Sequence, residues 1–163
     1  MKIGVIADTH DASDVIERAV ERFIVEDVEA VIHCGDIVAP FSATPFDADF
    51  DFYAVRGNND GEWALADTVE AFGTYLEEMG ELTFDGVDFA VYHGTSDAIV
   101  DALVESGTYD YVLHGHTHER VSEERDGTVR LNPGGVPIPQ APNPPAALVV
   151  DTETGGIEAF ELD

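Results

Sequence analysis

Three short apolar runs, KIGVIA, AVIH and FYAV, punctuate the first third of the chain, and the stretch between the first two repeats its apolar residues at helical spacing. Runs this short and this uniformly apolar read as strands buried on both faces, of the kind that crossover helices join in parallel. Val15, Ile16, Ala19, Val20 and Phe23 then fall on one helix face, with Asp14 as the expected N-cap. Beyond the third run, Asp60 is placed to cap a helix through EWALADTVEAF, which disfavours a hairpin turn at Asp60-Gly61. From Leu82 the texture changes. LTFDG and DFAVYH read as a β-hairpin, a helix behind Thr95 or Ser96 gathers Ala98, Ile99, Ala102 and Leu103 on one face, and YDYVLH is another strand. Turn signals at Asp126-Gly127 and Gly155-Gly156 separate ERVSEE, TVRL, AALVVD and IEAFEL, which predicts meandering antiparallel strands. The Pro-rich NPGGVPIPQAPNPP between them reads as a rigid loop, because strand-like sequence resumes after it. The pattern predicts an α/β fold of mixed sheets flanked by helices, in one domain over residues 1–163.

Charge narrows the setting. Asp and Glu total 34 against 7 Lys and Arg, a net charge of -27, and the acids are scattered through every segment. Self-repulsion at this level loosens a compact state in dilute buffer, whereas at about 1 M salt the Debye length is about 3 Å. A salt-rich cytosol is the expected medium. Duplex nucleic acid and anionic membranes need a basic face that this composition does not offer. The stretch IGVIA is broken by Asp8 and is too short for a membrane span or a signal core, so a cytoplasmic protein is expected. The single cysteine, Cys34, reads as a small buried hydrophobe.

Polar, chemistry-bearing residues sit where the strands end: ADTH after the first, HCGD after the second, RGNND after the third, then YHG and HGHTH. Loops at the carboxyl ends of parallel strands converge on one crevice. Asp8 and His10, and again His116 and His118, are two residues apart, so in extended chain each pair projects to one side. Taken singly these motifs are common; five in order are not. Imidazole with carboxylate and amide oxygen suits Mn²⁺, Fe, Zn²⁺ or Ni²⁺ better than Ca²⁺. Arg56 and Arg120 adjoin the ligand loops, each with a choice between a phosphate oxygen and a neighbouring acid. His33 and His114 read as strand-end residues that pack or orient rather than bind, and Asn132 as a turn former.

DTH, GD, GNND, YHG and GHTH, in this order, resemble the signature of the calcineurin-like metallophosphoesterase superfamily, and the small size and LNPGG loop are similar to its YfcE-like phosphodiesterase branch. The resemblance implies a four-layer α-β-β-α sandwich and a dinuclear metal centre. It implies that Asp8, His10 and His118 bind one metal and Asn58, His93 and His116 the other, with Asp36 bridging. Mn²⁺ is the first expectation, with Ni²⁺, Zn²⁺ or Fe as alternatives. The implied reaction is hydrolysis of a small phosphate ester, a diester before a monoester, by attack of a metal-bridging hydroxide. Asp36, Asn59 and Asp60 are the candidate catalytic residues; Arg56 and Arg120 are the candidate substrate contacts. Two divalent ions against Asp8 and Asp36 leave a local positive site, so a globally acidic chain can still attract phosphate. Asn59 departs from the pattern, since many relatives carry a His there, and an amide has no proton of useful acidity. That predicts good turnover of activated aryl diesters and weaker action on alkyl ones. The alternative is a non-catalytic protein-binding scaffold of the same fold, like a retromer subunit, and a homo-oligomer is compatible with either reading.

Overall fold

The structure is a computed structural model that describes residues 1–61 and 63–163; Glu62, the first residue of the helix expected after Asp60, lies outside them. Alternate residues of β1 (Lys2–Ile6) serve two different cores, which is why the run is apolar throughout. Ile3 and Val5 face a second sheet, while Ile6 faces the helix α1 (Ser13–Val25). Gly4, on that helix side, lies so close to α1 that a Cβ there would stand 2.6 Å from the Phe23 ring. The same two-sided use explains β2 (Ala30–His33) and β3 (Asp51–Ala54), which run parallel to β1.

The first sheet has the order β11-β10-β1-β2-β3-β4, with β4 (Thr74–Tyr75) at one edge and the antiparallel hairpin of β10 (Ala146–Asp151) and β11 (Ile157–Glu161) at the other. The second has the order β5-β6-β7-β9-β8, built from β5 (Met79–Phe84), β6 (Val87–Tyr92), β7 (Tyr111–Leu113), β8 (Val121–Arg125) and β9 (Thr128–Asn132). Both sheets are mixed. Ile32, Cys34, Phe89, Leu113, Leu131 and Val150 belong to the core between them. Outside the first sheet lie α1, the short α2 (Pro40–Ala43) and α3 (Trp63–Glu70), around Phe23, Phe46, Phe52 and Leu65. Phe46 stacks on Phe52 at 4.8 Å between ring centroids, worth about 0.5–1.5 kcal/mol beyond the area it buries. Outside the second sheet, α4 (Asp97–Glu105) packs Val100 and Val104 on Ala90, Tyr92 and Val112. The layers therefore run helix, sheet, sheet, helix, as expected.

Four local expectations change. Ala12, not Asp14, is the N-cap of α1, and it has no side-chain bond to give; Asp14 instead lies in the first turn, where a carboxylate favours the helix dipole. The face of α4 that packs runs through Val100 and Val104, leaving Ile99 46% exposed, because an i, i+4 pair of valines fits the sheet. The helix after the third strand ends at Glu70, short of Phe72. The C-terminal third is not one meander. β9 pairs parallel with β7 in the second sheet, and β10 pairs antiparallel with β1 in the first, so the Pro-rich loop carries the chain from one sheet to the other.

Candidate metal centre

The strand ends do converge, but not by extended chain. Asp8 (φ 51), His10 (φ 43), Asp36 (φ 60), His116 (φ 70) and His118 (φ 59) all have left-handed backbone, so each loop turns sharply as it leaves its strand and aims its side chain back across the sheet ends. Val38 has φ 86, a conformation in which a β-branched residue is strained. Residues held this way cost of order 1–3 kcal/mol each and need surroundings that hold them. Here the surroundings are hydrogen bonds from neighbouring loops: the Asp8, His10 and Asp11 amides donate to Gly35, Asp36 and Ile37 carbonyls at 3.0, 3.0 and 3.2 Å.

Asp60 is the principal clamp. Its buried carboxylate accepts from the amides of Asp36 (2.9 Å), Gly57 (2.8 Å) and Val38 (2.7 Å). That use makes Asp60 a residue that positions two ligand loops, while the helix start it was expected to cap adjoins Glu62, outside the described residues. Asn59 is also occupied: its amide N and its Nδ2 donate to the two oxygens of Asp36, at 2.9 and 2.8 Å.

Two groups of donors meet around Asp8, one with His10 and His118 and one with Asp36 and His93. His118 Nε2 is 3.7 Å from Asp8 Oδ1, and His10 Nε2 is 3.3 Å from Asp36 Oδ2. Asn58 joins the second group, its Oδ1 2.9 Å from His93 Nε2 and 3.0 Å from His116 Nδ1. All seven expected ligands are thus brought together. Backbone carbonyls set two of the imidazole tautomers: His93 Nδ1 donates to Cys34 O and His118 Nδ1 to Val136 O, each at 2.7 Å. In the neutral rings, both Nε2 lone pairs then face carboxylate and amide oxygens.

A centre lined by acceptors needs something positive inside it. Asp8 Oδ1 and His10 Nε2 are buried with no hydrogen-bond partner among the described residues. Burial pushes the Asp8 carboxyl up to about 7, despite His93 and His10 nearby. Burial also works against ionisation of Asp36, but the facing histidines and the Asn59 donors outweigh it and hold its carboxyl well below the usual range. Orphaned acceptors, fixed tautomers and a mixed nitrogen and oxygen donor set fit divalent transition-metal ions.

Glycines let the loops close on this centre. A Cβ on Gly57 would stand 2.1 Å from Asp36 Oδ1 and 2.2 Å from its backbone N, and Gly115 and Gly135 approach Asp8 almost as closely, at 2.6 and 2.4 Å. Nothing in a periodicity reading finds them. The available signal was the Gly beside each ligand in GD, GNND and GHTH.

Arg56 borders a cavity of about 200 Å³ together with Asn58, His93, Tyr92 and Thr95, so it stands beside the centre. Its Nε donates to Asp60 O at 3.1 Å, and Nη1 pairs with Glu78 at 3.3 Å. Arg120 is turned elsewhere, with Nη2 3.9 Å from Glu161 on β11. Asn132 does more than turn the chain: Nδ2 donates to Gly115 O and Thr117 Oγ1, both at 3.0 Å, while its oxygen accepts from Gly134 N. His33 and His114 are not ligands. His33 accepts from Gly35 N at 3.2 Å and donates to Thr9 Oγ1 at 3.1 Å. His114 accepts from Arg130 Nε at 2.9 Å and donates to Gly115 O at 3.1 Å.

These two buried, neutral rings make stability depend on pH. Burial lowers His33 to about 3 and His114 to about 4, from 6.5. Between those values and 6.5 the unfolded chain binds more protons than the folded one. Stability from this source is therefore complete above pH 6.5 and falls as pH drops, by about 1.4 kcal/mol per pH unit for each ring. Asp8, raised rather than lowered, pulls the other way as pH falls below 7. Urea unfolding at several pH values between 7 and 4 should show a shallower acid loss in His114→Asn than in the parent chain. An unchanged slope would remove His114 from this account.

A family model described as the calcineurin-like phosphoesterase superfamily domain matches residues 1–155. A phosphodiesterase of Methanocaldococcus jannaschii is 40% identical over 141 residues, covering 82% of this chain and 83% of that protein. Phosphodiesterase YfcE of Escherichia coli is 25% identical over 174 residues, covering 98% and 92%. Among solved structures, an archaeal phosphodiesterase superposes with a TM-score of 0.92 at 35% identity over 99% of both chains.

Proposed function

The chain belongs to the calcineurin-like phosphoesterase superfamily, and from that premise we propose that it is a metal-dependent phosphodiesterase with two Mn²⁺ ions in its centre. The observation that carries this reading is the acceptor-lined cluster at the strand ends, in which Asp8 Oδ1 and His10 Nε2 are buried without partners. In this reading Asp8, His10 and His118 hold one ion, Asn58, His93 and His116 hold the other, and Asp36 lies between. Ions bound there supply Lewis acidity, lowering the pKa of water and countering charge that builds on the phosphate oxygens.

The protein residues have distinct tasks around that chemistry. Cys34 O and Val136 O keep the Nε2 lone pairs of His93 and His118 turned inward. Asn59 fixes both oxygens of Asp36, and Asp60 fixes the loops that carry Asp36 and Asn58. Arg56, beside Asn58 and His93, is placed to grip a phosphate oxygen. Asn59 lacks an acidic proton, so the departing oxygen gets no side-chain acid from this position. Replacing Asn59 with His should then flatten the dependence of rate on leaving-group pKa, as measured on a series of aryl diesters; the same steep dependence in both proteins would count against this role.

The test of the whole reading is turnover of bis-p-nitrophenyl phosphate and of the corresponding monoester, with Mn²⁺, other divalent ions or chelator. Arms in dilute buffer and in about 2 M KCl address the salt-rich cytosol that the acidity suggests, since screening there removes most long-range repulsion. Diester turnover that disappears with chelator and returns with metal supports the enzyme. Absence of turnover of both esters with every metal transfers the reading to a non-catalytic scaffold of this fold.

A further inference from the structure

A second cavity, of about 260 Å³, shares Arg56 with the one beside the metal centre. Its other lining residues among those described are Asp60, Gly61, Trp63, Ala66 and Tyr75, so it sits between the start of α3 and the edge strand β4. Trp63 is 76% exposed there, and it is the only tryptophan of the chain. An indole exposed beside a cavity, with a half-buried phenol as a second aromatic wall, offers stacking surface to a ligand with a flat apolar face. Packing of the helix does not require it, since Leu65 and Val69 supply the buried face of α3.

We infer that this cavity is the subsite for one ester group of a phosphodiester substrate, and that the group carries a planar aromatic ring such as a nucleobase. The inference rests on the phosphodiesterase reading, and it specifies the substrate class. The phosphate lies against Asn58, His93 and Arg56, and the ring against Trp63 and Tyr75, with Arg56 at the wall between the two cavities. Bonds from Arg56 to Asp60 O and Glu78 fix the guanidinium at that wall. Tyr75 remains a neutral hydroxyl donor, since burial and the nearby Asp60 push its phenol up to about 12. The charges around the cavities select as well. Among the described residues, Asp60 and Glu78 line them beside a single arginine, in a chain of net charge -27. A diester brings one negative charge and fits; a polyphosphate tail brings several and is repelled.

The lone tryptophan makes the inference testable without turnover. Protein loaded with Mn²⁺ in about 2 M KCl, where long-range repulsion is screened, is titrated with AMP, ribose 5-phosphate and inorganic phosphate while Trp63 emission is followed. AMP should quench saturably. Ribose 5-phosphate and phosphate should leave the emission unchanged and should displace AMP only at concentrations about tenfold higher, as the loss of one stacked base predicts. In Trp63→Leu, KM for bis-p-nitrophenyl phosphate should rise about tenfold with kcat nearly unchanged, and Trp63→Phe should restore most of it. Equal affinity for AMP and ribose 5-phosphate, or an unchanged KM in Trp63→Leu, overturns the subsite while leaving the phosphodiesterase reading standing. Saturable AMP quenching in a protein that turns over no diester does the reverse: it upholds the aromatic subsite and removes the activity.

Discussion

Replacing Asp36 with Ala should lower kcat/KM for a diester by at least about 10³-fold, equivalent to roughly 4 kcal/mol of transition-state stabilisation. The Asp36 oxygens face His10 at 3.3 Å and His93 at 3.4 Å while accepting both Asn59 donors, so one side chain ties the two halves of the ligand set together. Removing it leaves the Asn59 amide and Nδ2 without their acceptor and takes a carboxylate from beside His10 and His93, and metal content should fall along with rate. Elemental analysis of the purified variant separates this from a purely kinetic defect: full metal occupancy with lost activity would contradict the position between two ions proposed for Asp36. The metal-free variant should still fold, because Asp36 belongs to none of the apolar cores, but at a lower melting temperature, because the two Asn59 bonds are lost.

The second large effect requires only one methyl group. Gly57→Ala would place a carbon 2.1 Å from Asp36 Oδ1 and 2.2 Å from the Asp36 amide, and the neighbour there is backbone as well as side chain. The loops after β2 and β3 must then separate, which breaks the bonds from the Asp36 and Val38 amides to Asp60. Overpacking of this kind destabilises by about 1–3 kcal/mol. Activity should fall by more than about 10²-fold, since displacements near 1 Å at a reacting centre have that effect. The contrasting control is Gly61→Ala, where a Cβ would meet nothing within 4 Å. Thermal unfolding of the two variants should differ sharply; equal melting temperatures would mean that the close approach at Gly57 does not matter.

What could be read from the chain was mostly chemistry at fixed places. The ends of β1, β2, β3, β6 and β7 were legible because polar ligand types interrupt apolar runs there, and a strand end is a local event. Two-sided burial of the parallel strands was legible for the same reason. Less was visible wherever geometry depends on contacts distant in sequence. The spacing of Asp8 and His10 suggested extended chain, yet φ values of 51 and 43 turn the loop instead, and only the carbonyls of Gly35 and Asp36 explain that choice. Asp60 looked like a helix cap because capping residues and loop clamps are the same residue types. Arg120 adjoins a ligand loop in sequence but faces Glu161, and a pairing with the last strand leaves no local trace. The split of the C-terminal strands between two sheets was hidden likewise, since hairpin signals say nothing about which sheet a hairpin joins.

That split has a consequence for how the protein is made. β1 carries Asp8 just past its end but is completed by β10, which is made long after it, so Lys2 must wait for Asp151. Val136, which orients His118, and Gly135, which packs on Asp8, also come late. Contacts this far apart in sequence are slow to form. The centre at the strand ends is therefore assembled late, and a nascent chain holds Asp8 and His10 open until residues 135–151 have been made.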